Sequence, residues 1–81
     1  MDKNQKLSFY NEKSLMFLNV NGTLRQIYVP FQVRCNQPVG GLKENTLVYV
    51  EAVSQHAEYR ILYKVLNKWV PYFCFNLIIK I

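Results

Sequence analysis

Two runs of strand-forming residues, 15–20 and 24–29, flank the dipeptide Asn21-Gly22. That arrangement predicts a β-hairpin, because both central residues of a type I′ turn take positive φ. A two-residue turn sets the pairing: Val20 faces Thr23, Leu18 faces Arg25 and Met16 faces Ile27, with partners sharing one side of the sheet. Beyond the hairpin the return arm alternates. Ile27, Val29, Phe31, Val33 and Cys35 are apolar, and Gln26, Pro30, Gln32 and Arg34 fall between or beside them, so the first set is the expected core face. Leu15, Phe17, Leu24 and Tyr28 fall on the other side, which this register leaves outward.

Residues 7–10 predict a short first strand, and 47–53, rich in β-branched and aromatic residues, predict another, closed by the polar turn 54–58. Between the two halves the segment 36–46 concentrates turn formers and is the longest expected loop. Its Gly40-Gly41 pair has neither the GxGxxG spacing nor the GK[ST] tail of a phosphate-binding loop. Residues 59–69 fit two periods. As a helix at about 57–68, Ile61, Leu62, Val65, Leu66 and Trp69 form one stripe. As a strand, Tyr59, Ile61, Tyr63 and Val65 form one face, and Asn67-Lys68 becomes a turn into 69–75. The strand is the preferred reading, because a helix would leave both tyrosines off the apolar stripe. The sequence Tyr28-Val29-Pro30-Phe31 is echoed by Trp69-Val70-Pro71-Tyr72, and each proline belongs at an edge, a bulge or a bend. The expected fold is all-β: a small SH3-like or OB-like barrel of five or six strands built from two hairpins, with an α+β fold as the alternative. Residues 1–6 are expected to be a disordered polar tail and 7–81 a single β domain.

Composition adds limits. A chain of 81 residues buries only about 60–65% of its unfolded surface. Hydrophobic residues make up 51% and charged residues 19%, against roughly 25% charged in ordinary globular chains. More apolar surface is present than one small core hides, so part of it is expected to serve as an interface. The net charge of +5 favours acidic partners. Residues 1–6 are polar and mixed in charge, without the apolar stretch of a targeting signal, so a cytoplasmic location is expected. The apolar run 69–81 is broken by Pro71, Asn76 and Lys80 and is shorter than the ~20 residues of a spanning helix; no membrane partner is expected. Cys35 and Cys74 lack ligand-spaced neighbours and are expected to be buried free thiols, with a disulfide between them as the alternative.

The second hairpin carries the candidate chemistry. With Asn67-Lys68 as its turn, Leu66 faces Trp69, Lys64 faces Pro71, Leu62 faces Phe73 and Arg60 faces Phe75. Arg60, Lys64, Trp69, Phe73 and Phe75 then share one side, with Lys68 at its end. Aromatic rings interleaved with basic groups can stack bases while the cations meet phosphates. A competing reading covers the rings and leaves the cationic stems along the rim. The carboxylates Asp2, Glu12, Glu44, Glu51 and Glu58 are scattered, and His56 stands alone in a polar turn. No catalytic, metal-binding or cofactor-binding residue is expected, and the chain is expected not to be an enzyme. The expected function is a non-enzymatic binding module for single-stranded nucleic acid. The alternative is protein interaction or self-association through Phe17, Leu24 and Tyr28, or homodimerisation through a C-terminal edge strand over 76–81.

Overall fold

The structure, a computed structural model, describes residues 6–18 and 21–78. Its strands form three antiparallel sheets of three. The first holds β1 (Lys6–Asn11), β2 (Ser14–Leu18) and β3 (Leu24–Tyr28) in that order. The second has β4 (Phe31–Cys35) between β5 (Leu47–Val50) and β9 (Phe75–Leu77). The third is a meander of β6 (Ala52–His56), β7 (Arg60–Val65) and β8 (Lys68–Pro71). A single 3-10 turn, Tyr72–Cys74, leads from β8 into β9. In the segment 57–68, for which a helix was the alternative, 60–65 form strand β7, with turns at 57–59 and 66–67. Among the described residues no helix is long and apolar enough to cross a membrane.

Among the described residues nine strands are present where five or six were expected, and two of the additional strands arise because a long strand is divided by a bend. The arm from Leu24 to Cys35 breaks at Val29-Pro30, where proline removes a ladder donor. The strand expected over 47–53 breaks at Glu51, and its second part runs on to His56 through residues expected to be a turn, so Val48 and Val50 are buried on one parity and Val53 on the other. Each bend passes the chain from one sheet to the next. Glu51 still donates its N–H to the Lys64 carbonyl at 2.8 Å. The turn between β1 and β2 joins the sheets: the Glu12 carbonyl accepts from Val53 N–H, and the Lys13 carbonyl accepts from Val29 N–H, both at 2.9 Å.

The first hairpin departs from the expected register by one residue. Leu18 pairs with Leu24, Phe17 with Arg25, Met16 with Gln26 and Leu15 with Ile27. A one-residue slip exchanges the two faces, so Leu15 and Phe17 point inward and are buried. On the other strand, β1 sets Leu7 opposite Phe17 and Phe9 opposite Leu15. Met16 and Leu18 would offer the core as much apolar surface, so the register is decided by this pairing with β1, which alternation along 15–29 does not contain. The pairing assigned to Val20 lies outside the described residues.

The second hairpin departs by two residues. Val65 pairs with Lys68, Lys64 with Trp69, Tyr63 with Val70 and Leu62 with Pro71. Its turn is Leu66-Asn67, with φ of 48° and 63°, the left-handed values a type I′ turn needs at both positions. A shift of two preserves the faces, and it sets Tyr63 and Val70 together in the core. The core continues through Val33, Cys35, Val50, Val53, Ile61, Val65 and Phe75. Ile27, Val29 and Phe31 pack against it. Cys35 and Cys74 are buried free thiols, with no disulfide. Burial, and then the neighbouring Cys74, push the Cys35 thiol up. Burial likewise raises the Tyr63 phenol, with a smaller contribution from Tyr72. Residues 1–5 of the expected tail lie outside the described residues, and Lys6 opens β1. The C-terminal strand is short: β9 pairs with its own β4, and 79–81 lie outside the described residues.

Candidate nucleic-acid interface

The outer face of the β6–β7–β8 sheet brings basic and aromatic groups together. Cross-strand pairing sets Ala52 opposite Lys64, Ser54 opposite Leu62 and His56 opposite Arg60, and the same parity continues to Trp69 and Pro71 on β8. Lys64 is half-buried beside Trp69, a residue that is 49% exposed. Lys68 occupies the end of the hairpin, where its Nζ donates to the Gly40 carbonyl at 3.1 Å. The long loop is thereby held against this hairpin, and its Gly40-Gly41 turn closes a small bridge between Val39 and Leu42.

Arg60 lies four positions before Lys64, about 13 Å away along the strand. Its φ is 70°. One Nη donates to the Leu7 carbonyl at 2.8 Å and the other to the Tyr72 hydroxyl at 3.1 Å. The guanidinium carbon lies 5.6 Å from the Tyr72 ring centroid, within range of a cation–π contact. Arg60 therefore clamps β1 to the 3-10 turn, and among the described residues these bonds use two of its five N–H donors.

Phe73 and Phe75 do not lie on β8. Pro71 ends that strand, and the 3-10 turn sends the two rings to different places. Phe73 is 48% exposed, tilted against Tyr59 with centroids 6.2 Å apart and edge-on to Tyr72 at 5.7 Å. Phe75 is buried, 6.0 Å from Tyr63, so it belongs to the core and not to the face. Leu24 and Tyr28 are exposed at 62% and 64%, whereas Phe17, at 3%, is enclosed. Leu18, Leu24 and Tyr28 are exposed on the first sheet, as is Tyr10 of β1.

Three aromatic residues join the face that the sequence pattern did not single out for it: His56, Tyr59 and Tyr72. His56 Nδ1 accepts from the N–H groups of Glu58 and Tyr59 at 3.1 and 3.2 Å. The imidazole so caps the β6–β7 turn and stacks on Tyr59 at 5.1 Å. A neutral imidazole accepting at Nδ1 carries its proton on Nε2. The dipeptides Tyr59-Arg60 and Tyr72-Phe73 were the available signal; their convergence depends on the turn after Pro71, which alternation cannot show. Among the described residues, no group of three or more His, Cys, Asp or Glu side chains comes together in a way that could hold a metal ion. Comparison with family models, with curated proteins and with solved structures finds no match for this chain.

Proposed function

We propose that this protein is a non-enzymatic binding module that holds single-stranded nucleic acid on the outer face of β6–β7–β8. One observation carries the reading: Lys64 lies directly across from the half-exposed Trp69. A ring with one open face can stack a base, and a cation beside it can meet the adjoining phosphate, without selecting a particular base. Phe73 and Tyr59 supply a second open aromatic group further along, and the net charge of +5 favours approach of a polyanion. A small SH3-like barrel is the architecture we assign to the three sheets. In support, β4 is flanked by β5, reached through the long loop, and by the last strand β9, reached through the 3-10 turn. The bends at Pro30 and Glu51 carry strands between sheets, as a small closed β structure requires.

Labelled single-stranded DNA and RNA titrated at low and moderate salt test the reading. Trp69→Ala should weaken binding by about 1–3 kcal/mol through lost stacking, and Lys64→Ala should weaken it with a shallower dependence on salt. Absence of binding at low salt refutes the proposal. Protein interaction through Leu18, Leu24 and Tyr28 is the second reading, favoured by their exposure on the outside of the first sheet. Such a contact would change little with salt or tighten.

A further inference from the structure

An open groove of about 720 Å³ lies between β1 and the β6–β7 turn, with Ser8, Phe9, Gln55, His56, Arg60 and Ile61 in its walls. Residues with polar side chains line it from three strands: Ser8 of β1, Gln55 and His56 of β6, and Arg60 of β7. Hydrogen bonding orients two of them. Because His56 Nδ1 accepts both turn N–H groups, the donor left to the neutral ring is Nε2–H. Arg60, tied to the Leu7 carbonyl and the Tyr72 hydroxyl, is pre-positioned with three N–H groups that no hydrogen bond among the described residues uses. Among the described residues no carboxylate lines the groove, and Glu58, in the adjacent turn, is outside it. Phe9 and Ile61 complete the wall with apolar surface.

The geometry points to a site for a phosphate monoester carried on a nucleoside. Donors arriving from three strands suit a group with three free oxygens better than the two of a phosphodiester, and a monoester also carries more charge. The volume lies within the range of ordinary ligand pockets and exceeds the need of an inorganic ion. The neighbouring Tyr59 and Phe73 rings, linked to the rim by the His56–Tyr59 stack, offer a surface for the base. Two sources share this chemistry: a free mononucleotide, and the phosphorylated end of a strand lying on the sheet face. The second rests on the nucleic-acid reading proposed above.

The test uses the whole protein and four probes at one fixed salt concentration: a 5′-phosphorylated hexanucleotide, its 3′-phosphorylated counterpart, the same strand with hydroxyl ends, and uridine monophosphate. Binding is followed by fluorescence and by nuclear magnetic resonance of the His56 ring. One of the two phosphorylated strands should bind about tenfold more tightly than the hydroxyl-ended strand, the scale of a charge-assisted contact. Gln55→Glu, which places a carboxylate in the wall without removing any of the bonds above, should abolish that advantage while the melting temperature stays unchanged. Equal affinity for all three strands, together with no His56 shift from the mononucleotide, overturns the site while leaving the Trp69 face standing. Mononucleotide binding that shifts His56 and is lost in Gln55→Glu, with no strand binding at all, upholds the groove and removes the nucleic-acid reading. Arg60→Lys guards against misfolding, since it keeps the charge and should retain part of the effect.

Discussion

Gly22 offers a test in which backbone conformation separates cleanly from packing. Its φ is +81°, and a Cβ added there would meet nothing within 4 Å. An alanine at this position loses no contact and creates no clash, so its cost is conformational. Left-handed backbone costs an L-residue roughly 1–2 kcal/mol, and the reduced freedom of the unfolded chain returns about 0.5 kcal/mol. About 1 kcal/mol of net destabilisation remains, which lowers the melting temperature of a domain this size by about 4–8 °C. Asparagine is larger but tolerates positive φ, so Gly22→Asn should fall within about 0.5 kcal/mol of the parent. Gly22→Val, β-branched, should be the worst of the three. Thermal and urea unfolding of the four proteins give the ranking. If Asn is tolerated no better than Ala, backbone strain at Gly22 is not what limits this hairpin.

Three further outcomes follow from the same geometry. Leu66 is 60% exposed at φ 48°, so Leu66→Asn should relieve strain and raise stability by about 0.5 kcal/mol; a lower melting temperature would contradict the type I′ turn at Leu66-Asn67. Tyr63, whose phenol burial holds above its ordinary value, should leave stability unaffected while both states are protonated. Above about pH 10 the unfolded chain ionises first, and stability should then fall by about 1.4 kcal/mol per pH unit. Tyr63→Phe should remove that component of the alkaline loss, as read from urea midpoints between pH 9 and pH 11; an identical slope in both proteins refutes it. Cys35 and Cys74, buried and free, should react with a thiol reagent only as the protein opens, and a rapidly titrating thiol in native buffer would contradict their burial.

Alternation along the chain is a parity signal, and its usefulness depended on whether parity survived. In the second hairpin the turn lies one position earlier than the strongest turn residues indicated, which moves the register by two. Side-chain faces are unchanged by an even shift, so Lys64 and Trp69 meet on the outside even though each has a different partner from the one expected. The first hairpin moves by one, and there the faces exchange. Its strand offers apolar pairs, Leu15 with Met16 and Phe17 with Leu18, so hydrophobicity alone cannot choose between them. The choice is made by β1, whose Leu7 and Phe9 lie opposite Phe17 and Leu15. Such a long-range contact has no local signature.

The aromatic and basic groups divide according to the same physics. Lys64, Trp69 and Lys68 sit on a regular ladder or at its turn, where spacing is informative. Phe73 and Phe75 follow Pro71, and a continuous strand would have kept both beside Arg60. Instead, one 3-10 turn exposes Phe73 and buries Phe75 under Tyr63. That turn is held partly by Arg60, through the Tyr72 hydroxyl, and Arg60 is also bound to the backbone of β1. The same hydrogen bonds that fasten the first sheet to the third therefore set the position of the exposed rings. Displacing β1 would release the Arg60 clamp and with it the edge of the candidate interface, while Trp69, fixed by the β7–β8 ladder, would keep its place.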